Sequence, residues 1–295
     1  MLDFVSLCQV SVRPHLYDAL KSYKVKGLKI YYAGCENKTN WKILVKEHAE
    51  NFIVSFYYIK KYNVNIHEFL KQFEYKVNII LDPGSFSSDK KDEINPIEYG
   101  NYILENIDCF DFYLNCDVIG NIDETLKNQK LLESMGLRPI PVFHYTDDFE
   151  TNGSMNILED YCKNHDRVAL GGSASKGGKI NPAWHVKCFE IVEKYEIKTH
   201  ACGVMSTKIL EMFPWASTDS SNWISSRGEF FIPKHNALLR LNWRTQRGKI
   251  MPNVDYIEAM GFSIKELHDR EVRQRINIRS FRWYQEYLKN KRCKK

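Results

Sequence analysis

Three aspartates stand where hydrophobic runs give way to small-residue loops. Asp82 ends Ile79-Ile80-Leu81 and is followed by Pro83-Gly84-Ser85-Phe86. Asp117 ends Phe112-Tyr113-Leu114-Asn115-Cys116, and Asp219 lies in Trp215-Ala216-Ser217-Thr218-Asp219-Ser220-Ser221-Asn222-Trp223. If these runs are parallel strands of one barrel, all three carboxyl groups open into the same mouth. That mouth, at the strand C-termini, is where such barrels do chemistry. Carboxyl groups brought together there can divide into a nucleophile and a general acid–base.

Each residue carries its own expectation beside a plainer structural one. Pro83-Gly84-Ser85 is a turn sequence, so Asp82 sits at a strand end; Gly84 allows close approach of a ligand and Ser85 offers a hydroxyl. The plainer reading is an aspartate that caps the turn. Asp117 lies inside so apolar a run that burying it unpaired is costly, so it needs a protein cation or a ligand donor. A purine edge with an exocyclic amine and a ring N–H suits a carboxylate. Asp219 is surrounded by hydroxyls and an amide whose donors favour its ionised form, and an ionised carboxylate in a pocket can attack an electrophilic carbon. Here too a capped polar turn is the alternative. Leu170-Gly171-Gly172 runs into Ser173-Ala174-Ser175-Lys176-Gly177-Gly178, a loop that offers backbone N–H groups. It is no P-loop, because G-x-x-x-x-G-K-[ST] does not occur. His144 and Tyr145 close another run and line the expected mouth. His200, in His200-Ala201-Cys202-Gly203, reads as a packed core histidine or as a site residue.

The elements that must position these residues are legible as alternation. Candidate strands are Leu28 to Gly34, Phe52 to Ile59, Lys76 to Asp82, Phe110 to Ile119, Arg138 to Tyr145, Arg167 to Gly172, Lys198 to Val204 and Trp215 to Asp219. Several are near-continuous apolar runs, as parallel strands covered on both faces require. Asn95-Pro96 and Asn181-Pro182 each read as a helix N-cap followed by proline at the first helical position. Thr125 to Met135 is a further helix, with Gly136 at a C-cap position. This alternation predicts an α/β protein, a (β/α)₈ TIM barrel over residues 1–223. A doubly wound open sheet is the competing architecture. Residues 224–295 read as a C-terminal extension packed on the barrel: irregular elements over Ser220 to Ile264, then a long basic helix over Leu267 to Lys289.

Composition adds limits. The 295 residues include 17 tyrosines and 16 phenylalanines, enough for a large aromatic core. No apolar stretch approaches the roughly 20 residues of a membrane span, and Met1-Leu2-Asp3-Phe4 does not open a signal peptide. The 8 cysteines are scattered with no C-x-x-C pair, so buried free thiols in a reducing compartment are expected and no metal site is. The net charge of +5 is concentrated near the C-terminus, where Arg240, Arg244, Arg247, Arg273, Arg279 and Arg282 are interleaved with Trp243, Trp283, Tyr284 and Tyr287. Such a pattern suits a polyanion, nucleic acid above all; a solvated helix face is the alternative.

With these residues in hand, the chain resembles the tRNA-guanine transglycosylase superfamily, enzymes on a (β/α)₈ barrel that exchange guanine for a 7-deazaguanine. Asp82-Pro83-Gly84-Ser85-Phe86 is similar to the family's Asp-Ser-Gly-(Gly/Ala)-Phe motif. Leu170-Gly171-Gly172 looks like its base-contacting glycine loop, and His200 to Gly203 like the strand before its nucleophile. The resemblance spans about Leu28 to Trp223. It implies Asp219 as nucleophile, Asp82 as general acid–base and Asp117 as reader of the base, with Gly84, Ser85, Phe86, His144, Gly171, Gly172, His200 and Gly203 lining the substrate. Two departures stand out: Pro83 replaces a serine, and the clustered cysteine zinc site of the bacterial tRNA enzymes is missing. The chain is therefore most similar to the compact DNA-guanine transglycosylases of phages and bacteria. That implies DNA, or alternatively tRNA, and a free 7-deazaguanine base as partners, no cofactor, and a bacterial or infected-cell cytoplasm. An accessory subunit or self-association is compatible with it. A hydrolase that stops at the abasic product, and a barrel that only binds nucleic acid, remain the rival expectations.

Overall fold

The computed structural model of the protein describes residues 27–85, 94–144, 152–172 and 182–293, the first side chains of the 152–164 helix excepted. Eight strands carry the fold: β1 (Lys29–Ala33), β2 (Asn51–Ser55), β3 (Asn78–Asp82), β4 (Phe112–Tyr113), β5 (Val142–His144), β6 (Arg167–Gly171), β7 (Lys198–Ala201) and β8 (Ser217–Ser220). They form one sheet in the order β4-β3-β2-β1-β8-β7-β6-β5, with every pairing parallel. The ends of that order approach each other. Leu114 and Ile140, just outside β4 and β5, form a parallel bridge. Asn115 N donates to Ile140 O at 2.9 Å and Ile140 N to Tyr113 O at 2.8 Å. The result is an α/β fold with a curled eight-stranded parallel sheet.

Side-chain alternation divides the core between the two faces of the sheet. Tyr31, Ile53, Ile80, Leu114, Ile140, Val142 and Ala169 form one buried cluster on the concave face. Their alternating neighbours, among them Ile30, Tyr32, Phe52, Leu81 and Leu170, join the larger core on the convex face. A strand with both faces buried has to be apolar throughout, as these runs are.

Helices cover the convex face: α1 (Trp41–Lys46), α2 (Phe56–Tyr62), α3 (Ile66–Leu70), α4 (Pro96–Glu105), α5 (Ile122–Ser134), α6 (Asn152–Asn164), α7 (Pro182–Lys194) and α8 (Thr207–Met212). Asn95 caps α4 as its sequence predicts, its side chain accepting from the backbone of Ile97 and Glu98, with Pro96 in the first turn. Asn181, the expected cap of α7, lies outside the described residues. Gly136 adopts φ +82 after α5, the left-handed end that glycine favours.

Several expected strands are shorter than their hydrophobic runs, among them the following three. Phe52 to Ile59 is strand only to Ser55; Phe56 and Ile59 then point inward at helical spacing in α2. In Phe110 to Ile119 only Phe112–Tyr113 is ladder. Beyond Leu114 the backbone is taken over by polar side chains of α5: Asn128 Nδ2 donates to Cys116 O, and Val118 N donates to Thr125 Oγ1. Lys198 to Val204 leaves the sheet after Ala201.

The region expected to be irregular contains an antiparallel hairpin, β9 (Glu229–Lys234) and β10 (Ala237–Asn242). Two short helices, α9 (Arg247–Ile250) and α10 (Val254–Ala259), follow. These pieces enclose a second small core of Phe230, Ile232, Leu241, Ile257, Phe262 and Ile276. The long basic helix is present as α11 (Arg270–Cys293). It packs against β1 and belongs to the main core through Ile278, Phe281, Tyr284 and Leu288. Tyr32 Oη donates to Ile278 O at 3.2 Å, and Arg292 donates to the carbonyls of Trp215, Leu210 and Phe213. Among the described residues, no helix is long and apolar enough to cross a membrane.

Candidate active site at the strand C-termini

Parallel strands place their C-terminal ends on one rim, and Asp82 at the end of β3, Asp117 beyond β4 and Asp219 in β8 all reach it. Asp82 feels both of the others. Burial above all, then the charges of Asp117 and Asp219, pushes its carboxyl well above the usual carboxylate range. One backbone donor opposes this: Gly84 N–H reaches Asp82 Oδ1 at 2.7 Å. Among the described residues no ion pair joins Asp82 to a cation that would offset this rise.

Gly84 makes that turn possible. Its φ is +98, and a Cβ there would meet Ser55 Oγ at 2.6 Å and Tyr57 Cβ at 2.5 Å. Ser85 Oγ spans to the next acid, 2.6 Å from Asp117 O and 3.2 Å from Asp117 Oδ1. Asp117 is 8% exposed, and its Oδ2 lies 2.6 Å from His144 Nε2. Thus the partner demanded by burying Asp117 is His144, from the end of β5. The His144 ring in turn explains Gly171: a Cβ there would lie 2.6 Å from His144 Cε1 and Nδ1. The Nδ1 atom is buried with no hydrogen-bond partner.

Asp219 is held from the β7 side. Gly203 N–H donates to Asp219 Oδ1 at 2.8 Å, and His200 Nε2 lies 3.2 Å from the same oxygen. His200 Nδ1 is 2.9 Å from Ser217 Oγ, so both ring nitrogens are engaged. His200 is 3% exposed, and its ring packs edge-on to Tyr31. It therefore lies beneath Asp219 and orients it, which fits the packed core histidine of the sequence reading better than the substrate-lining role that the resemblance implies. Gly172, with φ +80, follows β6 at the rim. Phe86, Tyr145 and the Ser173–Gly178 loop lie outside the described residues.

Two groups at this end escape the sequence reading. Cys202 stands near all three acids; burial, then Asp219, Asp117 and Asp82, raises its thiol well above the usual value, so it is no nucleophile at neutral pH. Glu36, three residues past β1, is 4% exposed and accepts a hydrogen bond from Ser55 N. Burial pushes its carboxyl up to about 7, against the backbone bonds that lower it. The strand-end logic that singles out Asp82 applies equally to Gly34-Cys35-Glu36. Among the described residues, no group of three or more His, Cys, Asp and Glu side chains is arranged to hold a metal.

A cavity of about 1080 Å³ lies at the opposite end of the sheet, lined by the first residues of the strands, including Lys29, Asn51, Asn78, Arg167 and Lys198. It does not reach the three acids. Its lining mixes lysines and arginine with Glu50, Glu193, Glu196 and Glu286, so it has no dominant charge.

The C-terminal arginines divide into two groups. Arg240, Arg244, Arg247 and Arg282 are exposed. Arg244 and Arg247 lie over the Trp243 ring, 5.8 and 5.9 Å from its centroid, and Arg240 pairs with Glu229. Arg273 and Arg279 do not belong with them. Arg273 is 3% exposed and donates to Ser225 Oγ and to the carbonyls of Leu267, His268 and Asp269. Arg279 holds the buried Glu47 carboxylate at 2.7 Å together with Arg275 at 2.6 Å, and donates to Met260 O. Their donors serve the fold, which corrects the expectation that they bind phosphate.

No protein-family model matches the chain, and no curated protein matches its sequence. Among solved structures, the carboxyl transferase domain of Rhizobium etli pyruvate carboxylase superposes with a TM-score of 0.43 at 8% identity. The match covers 96% of this chain and 51% of that one, so the chain spans about half the length of that structure.

Proposed function

We propose that the chain is a base-exchange transglycosylase that replaces guanine in nucleic acid with a 7-deazaguanine, on a closed (β/α)₈ barrel whose seam is the Leu114–Ile140 bridge. The observation that carries the reading is the contrast between two acids at one mouth. Asp82 is partly exposed at the rim, receives one backbone donor, and has its carboxyl pushed up by desolvation and by its neighbours. Asp219 is met by a backbone N–H and a histidine on the same oxygen. Two carboxyl groups in unlike surroundings are what a general acid and a nucleophile need.

In this mechanism an Asp219 oxygen attacks C1′ of the target nucleoside as the C1′–N9 bond breaks. The electron pair of that bond goes to the leaving guanine, which takes the Asp82 proton. The incoming 7-deazaguanine then returns a proton to Asp82 while its N9 attacks C1′ and releases Asp219. Asp117, fixed by His144, accepts from the N–H edge of the base. A stacked base hides C1′, so a flipped nucleotide or a single strand is the substrate. Exposed Arg240, Arg244, Arg247 and Arg282 hold phosphates. DNA is the favoured nucleic acid because the chain lacks the clustered zinc cysteines of the tRNA enzymes. Reduced thiols at Cys35, Cys109, Cys116, Cys162 and Cys188, all buried, support action in a reducing cytoplasm.

The test is exchange of radiolabelled guanine into DNA and into unmodified tRNA, side by side, with wild type and Asp219→Ala. Label entering DNA with wild type alone is the expected result. Label entering only tRNA moves the substrate to RNA. Label retained by Asp219→Ala refutes the nucleophile, and no label with either substrate refutes base exchange.

A further inference from the structure

Glu36 is a buried carboxyl group that the proposed mechanism does not use. It leaves β1 through Gly34 and Cys35 and turns in over the end of β2, where Ser55 N donates to its Oε1. Ser55 is the register partner of Asp82 across the β2–β3 ladder. The Ser55 hydroxyl is buried with no hydrogen-bond partner. It lies 2.6 Å from where a Cβ on Gly84 would stand, and Gly84 is the residue whose N–H holds Asp82. Glu36, Ser55, Gly84 and Asp82 are therefore neighbours at one edge of the mouth. Among the described residues, no hydrogen bond or ion pair joins Glu36 to a cation. The titratable groups that face it are the Cys35 thiol and Asp82. Those that face Asp82 from the surrounding elements are Asp117, Asp219, Glu36, Tyr99, Cys116 and Cys202.

A carboxyl group placed there without a counter-ion is costly, and a glutamine would accept the same Ser55 N–H bond without that cost. We propose that Glu36 is a positioning residue for Asp82, a second buried carboxyl that acts through Ser55 to fix the Asp82 side chain and to keep its proton in place. The inference rests on the acid role given to Asp82. As Glu36 ionises, its negative charge beside Asp82 makes release of the Asp82 proton harder. Asp82 thereby stays a competent acid to higher pH than its own burial provides.

The experiment is a titration of the full-length chain carrying carboxyl-¹³C aspartate, with the Asp82 signal assigned by its absence in Asp82→Asn. In Glu36→Gln the Asp82 transition is expected at lower pH, by on the order of one unit. Glu36→Asp, which keeps a charge, is expected to restore part of the difference. An Asp82 transition unmoved in folded Glu36→Gln overturns the proposal. Should Glu36→Gln not fold, wild type decides: the Asp82 signal must show an inflection where ¹³C-labelled Glu36 titrates, and its absence overturns the proposal. This readout needs no catalysis. A failure of base exchange with a shifted Asp82 transition would refute the function while leaving the coupling intact.

Discussion

Asp117 Oδ2 and His144 Nε2 lie 2.6 Å apart, Asp117 just beyond β4 and His144 at the end of β5, the two ends of the sheet order. Leu114 and Ile140 form a parallel bridge between the same two ends. The pair fixes one oxygen of Asp117, leaving Oδ1 toward Ser85 at 3.2 Å. Under the proposed function, loss of this pairing should affect base recognition more than chemistry. His144→Ala is expected to raise KM for the base by roughly tenfold or more, the worth of one charge-assisted hydrogen bond, with a smaller change in kcat. Steady-state exchange kinetics at fixed nucleic acid check it; an unchanged KM removes the pair from recognition.

Gly171→Ala tests the same site from behind. The added Cβ would lie 2.6 Å from the His144 ring, and that ring has Asp117 ahead of it. Overpacking of this kind costs about 1–3 kcal/mol. The variant should unfold at lower denaturant and show the base-binding defect of His144→Ala. Wild-type stability together with wild-type KM would contradict the crowding seen here.

The pH dependence of stability has a definite sign. Glu36 has its folded-state pKa raised to about 7 by burial. Between the ordinary glutamate value and 7 the folded state therefore binds more protons than the unfolded chain, and stability falls as pH rises through that window. Asp82, also raised, adds a change in the same direction. For Glu36 alone the change is on the order of 3 kcal/mol. Urea unfolding from pH 4.5 to 8 should show this decline, and Glu36→Gln should flatten it. A wild-type stability that rises across the window would contradict the burial of Glu36.

The arginines should separate in two assays. Arg244→Ala and Arg247→Ala are exposed substitutions, expected to weaken nucleic-acid binding across sequences and to reduce the salt slope by about one each, with little change in stability. Arg273→Ala leaves the carbonyls of Leu267, His268 and Asp269 without their donor, and should lower stability by several kcal/mol. Fluorescence anisotropy and denaturant melts on the three variants check both halves.

Glu47 clamps α1's end to α11. It is 3% exposed and receives Arg275 and Arg279. Burial raises its carboxyl, but the bonds from Arg279 and Arg275 outweigh that and hold it below the usual value. Glu47→Ala strands two arginines in a partly buried site, an expected loss of about 3–5 kcal/mol. A calorimetric melt within about 1 kcal/mol of wild type would mean the clamp does not hold the helix.

What the sequence by itself determined is local and periodic. Near-continuous apolar runs place Ile30, Phe52, Ile80, Val168 and their neighbours in strands, and Asn95-Pro96 starts a helix where it says it does. The same reading puts Asp82, Asp117 and Asp219 at strand ends, and parallel pairing then brings them to one rim. The tertiary structure decided everything that depends on residues far apart in the chain. Nothing near Asp117 announces His144, 27 positions away. His200 reads as either a packed core histidine or a site residue until Ser217 and Asp219 engage both its nitrogens. Glu36 is an ordinary glutamate until β2 closes over it. Arg273 and Arg279 read as basic in the sequence as Arg244 does, but charge along a chain does not say which face of a helix will be buried. That is settled by the packing of α11 on β1 and β9, which turns two arginines inward to carbonyls and to Glu47 and leaves others in solvent.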